Sequence, residues 1–371
     1  MQLIEDTTEN RTGKKYLSQW LIIFFVGIMK MKPVLGITMG DPAGIGPEII
    51  VKAFASKEMK KILEGNRPFV IGDADVLRQA MEFSNVKVNV STIQNAEGIS
   101  EAKFKFGMVN VLDLDNVNVK KLKMGKVQAM CGRASIDYIK KAAELATDKK
   151  IHAIVTAPIN KQSIKKAGHP YPGHTETLAV LTGISPDDVT MMLVIGNFRV
   201  FHATLHQSLK DAIKNIKKDK VLETIRVANR GLKSLGIKNP NIAVAGLNPH
   251  ASDGGRFGNE ELEEIEPAVK IANGEGINAI GPIPADTVFL RASKGEFDGV
   301  VALYHDQGHI PAKMLGFMKG VNVTVGLPII RTSVDHGTAF DIAGRGVADC
   351  TNMIEAIKVA STMAKAKFSS D

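Results

Sequence analysis

The chain has 371 residues, 44% hydrophobic and 23% charged, enough for a sizeable core and unlike a disordered or low-complexity protein. Its 47 basic and 39 acidic residues leave a formal charge of +8, spread thinly, which suits a protein that handles small anions. With 5% aromatic residues and no helix-turn-helix, zinc-finger or RNA-binding motif, nucleic-acid binding is not expected.

The first apolar run, residues 20–29 (WLIIFFVGIM), follows Lys14 and Lys15. It is too short to span a bilayer and no small-x-small cleavage site follows it, so stable membrane insertion is not expected. Residues 1–30 read as an extension outside the fold, with a membrane-proximal anchor as the lesser alternative. Thereafter short apolar runs alternate with amphipathic segments, the pattern of an α/β protein. The strands expected, in order, are PVLGITM, PFVIG, AIVTAP, VTMMLVIG, FRVFHATL, IAVAGL, GVVALY and VNVTVGL. The helices expected cover residues 47–56, 132–148, 175–183, 208–236 and 259–274. Cys131 and Cys350 are too few for a disulfide framework and lack CxxC spacing, which fits a reducing cytoplasm. The length suggests about two domains. No long linker is present, so the chain is expected to cross between them more than once.

Between these elements lie the polar motifs. GDPAGIGPEI, residues 40–49, has glycines for tight backbone geometry, Pro47 at a helix start and Glu48 at the positive end of the helix dipole. It lacks the GxGxxG dinucleotide fingerprint, and a plain strand-to-helix turn explains it equally well. GHTETLA, residues 173–179, opens a helix that Thr175 or a neighbour could cap; its amides, with His174, make an anion site. His206, His250 and His305 each stand just past an apolar run, where open α/β sheets place their sites, and three imidazoles suit one divalent ion with open positions. His202 and His309 compete for the same role, since FHATLH and HDQGH each offer two rings. Residues 304–346 set Lys313, Asn322, Arg331, Asp335, His336 and Asp341 among apolar residues and glycines. Polar groups on such a background destabilise unless they are paired or used, so this segment is expected to bind ligand.

GITMGDPAGIGPE, GHTE, LNPHAxxGGxFGxEE, GPxPADT, YHDQG and GVNVTVGLPIIRTSVDHGTAFDIAG, in that order, resemble the 4-hydroxythreonine-4-phosphate dehydrogenase family of vitamin B6 biosynthesis, from about residue 33 to the C-terminus. The resemblance implies a two-domain isocitrate/isopropylmalate dehydrogenase-like α/β fold with mixed sheets and the active site in the cleft between domains. Residues 31–130 with 310–371 would form the first domain, carrying the cofactor loop, and residues 131–309 the second, for metal and dimerisation. It further implies a divalent metal, zinc, manganese, cobalt or magnesium, on His206, His250 and His305. Substrate would be held by His174, Thr175, Lys313, Asn322 and Arg331, and NAD or NADP by the loop Asp335, His336, Gly337, Thr338, Ala339 and Asp341. Lys313, Asp286 and Asp306 are the candidates for catalysis or for orienting the site. A cytoplasmic homodimer with shared active sites, acting on a phosphorylated small molecule, is implied as well. Three other readings are a same-family dehydrogenase of threonate 4-phosphate, a non-enzymatic phosphate- or metal-binding module, and a phosphate acyltransferase-like protein.

Overall fold

The computed structural model describes residues 31–171 and 173–368; the extension expected over residues 1–30 lies outside them. Among the described residues twelve strands form a single mixed sheet: β1 (Val34–Thr38), β2 (Arg67–Gly72), β3 (Asn89–Ile93), β4 (Met108–Asp113), β5 (Ala153–Thr156), β6 (Thr190–Ile195), β7 (Phe198–His202), β8 (Ile242–Ala245), β9 (Ala279–Ile283), β10 (Gly299–Ala302), β11 (Val321–Val325) and β12 (Arg331–Val334). Their order is β3-β4-β2-β1-β5-β12-β11-β6-β7-β10-β8-β9. All eight apolar runs expected as strands are strands. The four others carried weak signals: β3 buries only its last residue, β9 contains Gly281 and Pro282, β4 has a buried asparagine, and β12 reads RTSV.

Two parallel blocks meet through antiparallel pairs of β12 with β11, β11 with β6, and β6 with β7. Strand register sets where the functional loops emerge. Thr38 and Ser333 both pair with Thr156, so the loops after β1, β5 and β12 leave one edge together. His202 pairs with Ala302, so the segments bearing His206 and His305 also emerge side by side.

The helix expected over residues 208–236 breaks into Leu209–Asn215 and Lys218–Ser234, because Glu264 receives the backbone N–H of Lys218 (2.7 Å) and the ammonium of Lys217 (2.8 Å) at the junction. The helix His305–Gly316 follows β10 directly and carries Lys313 about 12 Å from His305 along its axis. It packs on β7 so closely that a Cβ at Gly308 would sit 2.3 Å from Nε2 of His202, so only glycine fits there.

Candidate active site

At one end of the site four histidine rings cluster around β7 and the helix His305–Gly316. His305 stacks on His309 with centroids 3.9 Å apart, His206 lies 5.8 Å from His305, and His202 is 4.5 Å from His309. His305 Nδ1 contacts Asp306 Oδ1 at 2.7 Å, a carboxylate–imidazole pair of the kind that orients metal-ligating histidines. Both nitrogens of buried His202 lack a hydrogen-bond partner, and burial, with His309, His305 and His206 adding to it, pushes that ring down to about 3, so it is neutral. His206, His305 and Asp306 share a cavity of about 400 Å³ with Tyr304.

His250 stands apart on a loop of four successive left-handed residues, His250 to Asp253, with its ring 6.4 Å from Phe257. Buried Glu261 shapes this loop: its Oε1 accepts the N–H groups of Leu247 (2.7 Å) and Asn248 (2.6 Å), and its Oε2 accepts Asn248 Nδ2 (2.8 Å). Among the described residues of one chain, no three histidine, cysteine or acidic side chains are grouped to hold a metal. The structure thus brings His206 and His305 together and leaves His250 separate. The paired imidazoles of His206 and His305, with Asp306 on the latter, are a donor set whose chemistry fits a metal.

A second polar cluster gathers around Arg331. Arg331 opens β12 with its guanidinium buried; Nε and Nη2 donate to Thr156 Oγ1 (3.1 and 2.8 Å), and Nη1 to Thr324 Oγ1 (3.0 Å). Each of these acceptors is a neutral hydroxyl. Burial brings the arginine down to about 10, with Glu176 opposing, and the group remains a cation at neutral pH. His174 begins the helix His174–Leu181; its Nε2 is buried without a partner, and burial followed by the Arg331 charge holds its pKa well below the usual range. The cap at that helix is Gly173, not Thr175, and no side chain caps it, so the first-turn amides are left for a ligand. A buried cation hydrogen-bonded to neutral hydroxyls, a neutral imidazole and a bare helix terminus fit a phosphate or carboxylate.

Asp335, expected on the cofactor loop, contacts two residues expected to hold substrate. Lys313 Nζ is 3.4 Å from its Oδ2, and Asn322 Nδ2 donates to its Oδ1 at 2.9 Å, while Asn322 Oδ1 is buried without a partner. The loop then passes through His336, whose Nε2 is also buried and unpartnered, and exposed Gly337. Thr338 is buried against Gly44, and its carbonyl accepts the Ile45 N–H at 3.1 Å. Ala339 has φ 41° and Asp341 is exposed. The GDPAGIGPEI motif is therefore the platform for this loop. Glu48, expected at the helix dipole, does more than that, and Asp41 carried no signal in the sequence. Glu48 Oε1 accepts the Ala348 N–H (2.6 Å) and Lys52 Nζ (2.8 Å), and Lys52 also reaches the Gly346 and Ala348 carbonyls, stapling the loop's far end. Asp41 is fully buried; burial raises its carboxyl to about 6 against the Ala43 N–H, which it accepts at 2.8 Å. A loop anchored at both ends with an exposed middle and an orphaned ring nitrogen fits a dinucleotide. Asp286 and Asp306 both line a groove of about 750 Å³ between the helices Ala285–Ser293 and His305–Gly316.

Residues 64–360 match the family described as pyridoxal phosphate biosynthetic protein PdxA. The chain belongs to this family. It is 48% identical over 336 residues, covering 91% of this chain and 98% of the other, to a Halalkalibacterium halodurans protein provisionally named D-threonate 4-phosphate dehydrogenase. Among solved structures, a 4-hydroxythreonine-4-phosphate dehydrogenase from Klebsiella pneumoniae superposes with a TM-score of 0.83 at 42% identity, covering 91% of this chain and 99% of that one. One of the same description from Burkholderia phymatum gives 0.79 at 48% identity, with 90% and 98% covered. These matches bear out the family resemblance and the α/β fold with a large mixed sheet. This PdxA chain is a dehydrogenase by family. No helix among its described residues is long and apolar enough to cross a membrane.

Proposed function

We propose that this PdxA chain oxidises the C3 hydroxyl of 4-phosphooxy-L-threonine with NAD or NADP, giving 2-amino-3-oxo-4-phosphooxybutanoate, which decarboxylates to 3-amino-2-oxopropyl phosphate in pyridoxine biosynthesis. The observation that carries this reading is buried Arg331, held only by the hydroxyls of Thr156 and Thr324, beside the orphaned Nε2 of His174. A buried charge without an ionic partner is costly, and a bound phosphate would compensate it. The bare amides of residues 174–176 would share that anion, while Lys313 and Asn322, across the site, orient the rest of the substrate. Asp306 or Asp286 would take the hydroxyl proton.

NAD or NADP would accept the hydride from C3, and the platform of Gly44 and Ile45 under Thr338 would fix its loop. A divalent ion, zinc, manganese, cobalt or magnesium, would supply Lewis acidity at the C3 oxygen. His206, His250 and His305 are its proposed holders. Since one chain does not gather all three, the complete set is proposed to form in a homodimer with shared sites.

The second reading is oxidation of D-threonate 4-phosphate, favoured by the names of curated relatives at 48% and 49% identity from Halalkalibacterium halodurans and Oceanobacillus iheyensis. Reduced nicotinamide absorbance, followed with both substrates, with and without chelator, tests these readings together. Turnover of a 4-phosphorylated acid that chelation abolishes is expected. A higher kcat/KM on threonate 4-phosphate selects the second reading, turnover of neither acid overturns both, and turnover indifferent to chelator removes the metal.

A further inference from the structure

Away from the histidines, a cavity of about 570 Å³ opens between the helix Lys218–Ser234, the turn joining β11 to β12, and the C-terminal helix Thr351–Phe368. Its volume lies in the range of small-molecule sites. Its floor is apolar, with Val325, Ile330 and Met363 all buried. Its rim carries Arg230, Lys233 and Lys367 against one acid, Asp188. Arg230 is engaged by Glu223 at 2.9 Å, and Lys367 donates to the Pro328 carbonyl at 2.9 Å. Among the described residues, neither Lys233 nor Lys367 has a carboxylate within 4.0 Å. The turn that forms one wall requires glycine: Gly326 has φ 109°, and a Cβ there would lie 2.4 Å from the Asp188 carbonyl.

We propose that this cavity binds a small organic anion with an apolar or aromatic body, and thereby acts as an effector site for the dehydrogenase. Apolar surface below and unneutralised cations above select an amphipathic anion over both inorganic phosphate and a neutral apolar molecule. Thr324 connects the cavity to the active site. It lines the cavity, and its hydroxyl accepts Nη1 of Arg331 at 3.0 Å. A ligand that shifts the end of β11 therefore shifts the group that positions the arginine. The effector role rests on the anion-holding reading of Arg331; binding to the cavity does not.

The probe is 8-anilinonaphthalene-1-sulfonate, an aromatic anion whose fluorescence rises in an apolar site, titrated into the full chain without substrate. Saturable binding is expected, weakened about tenfold by the paired surface substitution Lys233→Glu with Lys367→Glu and likewise by Ser234→Trp, which narrows the cavity. Neutral N-phenyl-1-naphthylamine is expected to bind more weakly and to ignore the charge reversal. Unchanged affinity in both variants would mean that the probe binds elsewhere, and would overturn the site. In the activity assay, saturating probe is expected to shift KM for the phosphorylated substrate about threefold in the wild type but not in the paired variant. Binding without that shift refutes the effector role alone. Absence of turnover with any 4-phosphorylated acid refutes the proposed reaction and leaves the binding result standing.

Discussion

Arg331 shows how much of a site resides in partners that a sequence does not display. Its place in the IIRTS motif made it a candidate anion holder, but the hydroxyls that aim it belong to Thr156 and Thr324, brought in by strand pairing. The planar fork spans both hydroxyls, its hydrogen-bond partners among the described residues. Arg331→Lys keeps the charge but cannot span them, so kcat/KM for the phosphorylated substrate is expected to fall about a hundredfold, mainly through KM, in steady-state assays. Asp41 makes the converse point, since nothing in GDPAG announces a carboxyl raised from 3.8 to about 6 by burial. Because its folded pKa lies above its unfolded value, Asp41 contributes stability that is complete below pH 3.8 and lost as pH rises through 6. Asp41→Asn removes that dependence while its side-chain oxygen can still accept the Ala43 N–H. Urea unfolding should find the variant more stable than the wild type by about 3 kcal/mol at pH 8, with the difference vanishing near pH 3.5. A gap of equal size at both pH values would show that the carboxyl is not titrating between them.

Elements were legible where their apolar content was dense. The eight strands found from sequence are apolar and bury most of their length, whereas β3 is mostly exposed and β12, though buried, is polar, so both register as strands only through their neighbours. Irregular elements were the least legible. The break at residues 216–217 depends on Glu264, remote in sequence, and the left-handed loop bearing His250 depends on Glu261. The FGNEE motif contains that glutamate, but only the structure shows that both carboxylate oxygens are spent on the loop. Glu261→Gln would set an amide donor against Asn248 Nδ2 or the two backbone N–H groups, leaving a buried donor unsatisfied. Denaturant unfolding is expected to show a loss of about 2 kcal/mol, against no more than about 0.5 for Glu263→Gln on the exposed neighbour. If the two variants unfold alike, the clamp does not shape the loop.

At the scale of the whole molecule, the separation of His250 from His206 and His305 is explained if one copy does not hold a finished site. The groove between the helices Ala285–Ser293 and His305–Gly316 leaves Met314 84%, Leu290 58% and Ile310 58% exposed, an unusual display for helix faces beside an active site. Asp306, which orients His305, lines the same groove, so a second copy seated there would complete the metal site as it buried the apolar face. Light scattering is therefore expected to give twice the chain mass for the wild type, and a single chain mass for Ile310→Glu with Met314→Glu. Both side chains are surface groups, so circular dichroism should stay unchanged while chelator-sensitive turnover disappears. A monomeric wild type with full turnover would return all three histidines to one chain. A dimer that persists in the double variant would move the interface to another face and leave the exposed methionine without this role.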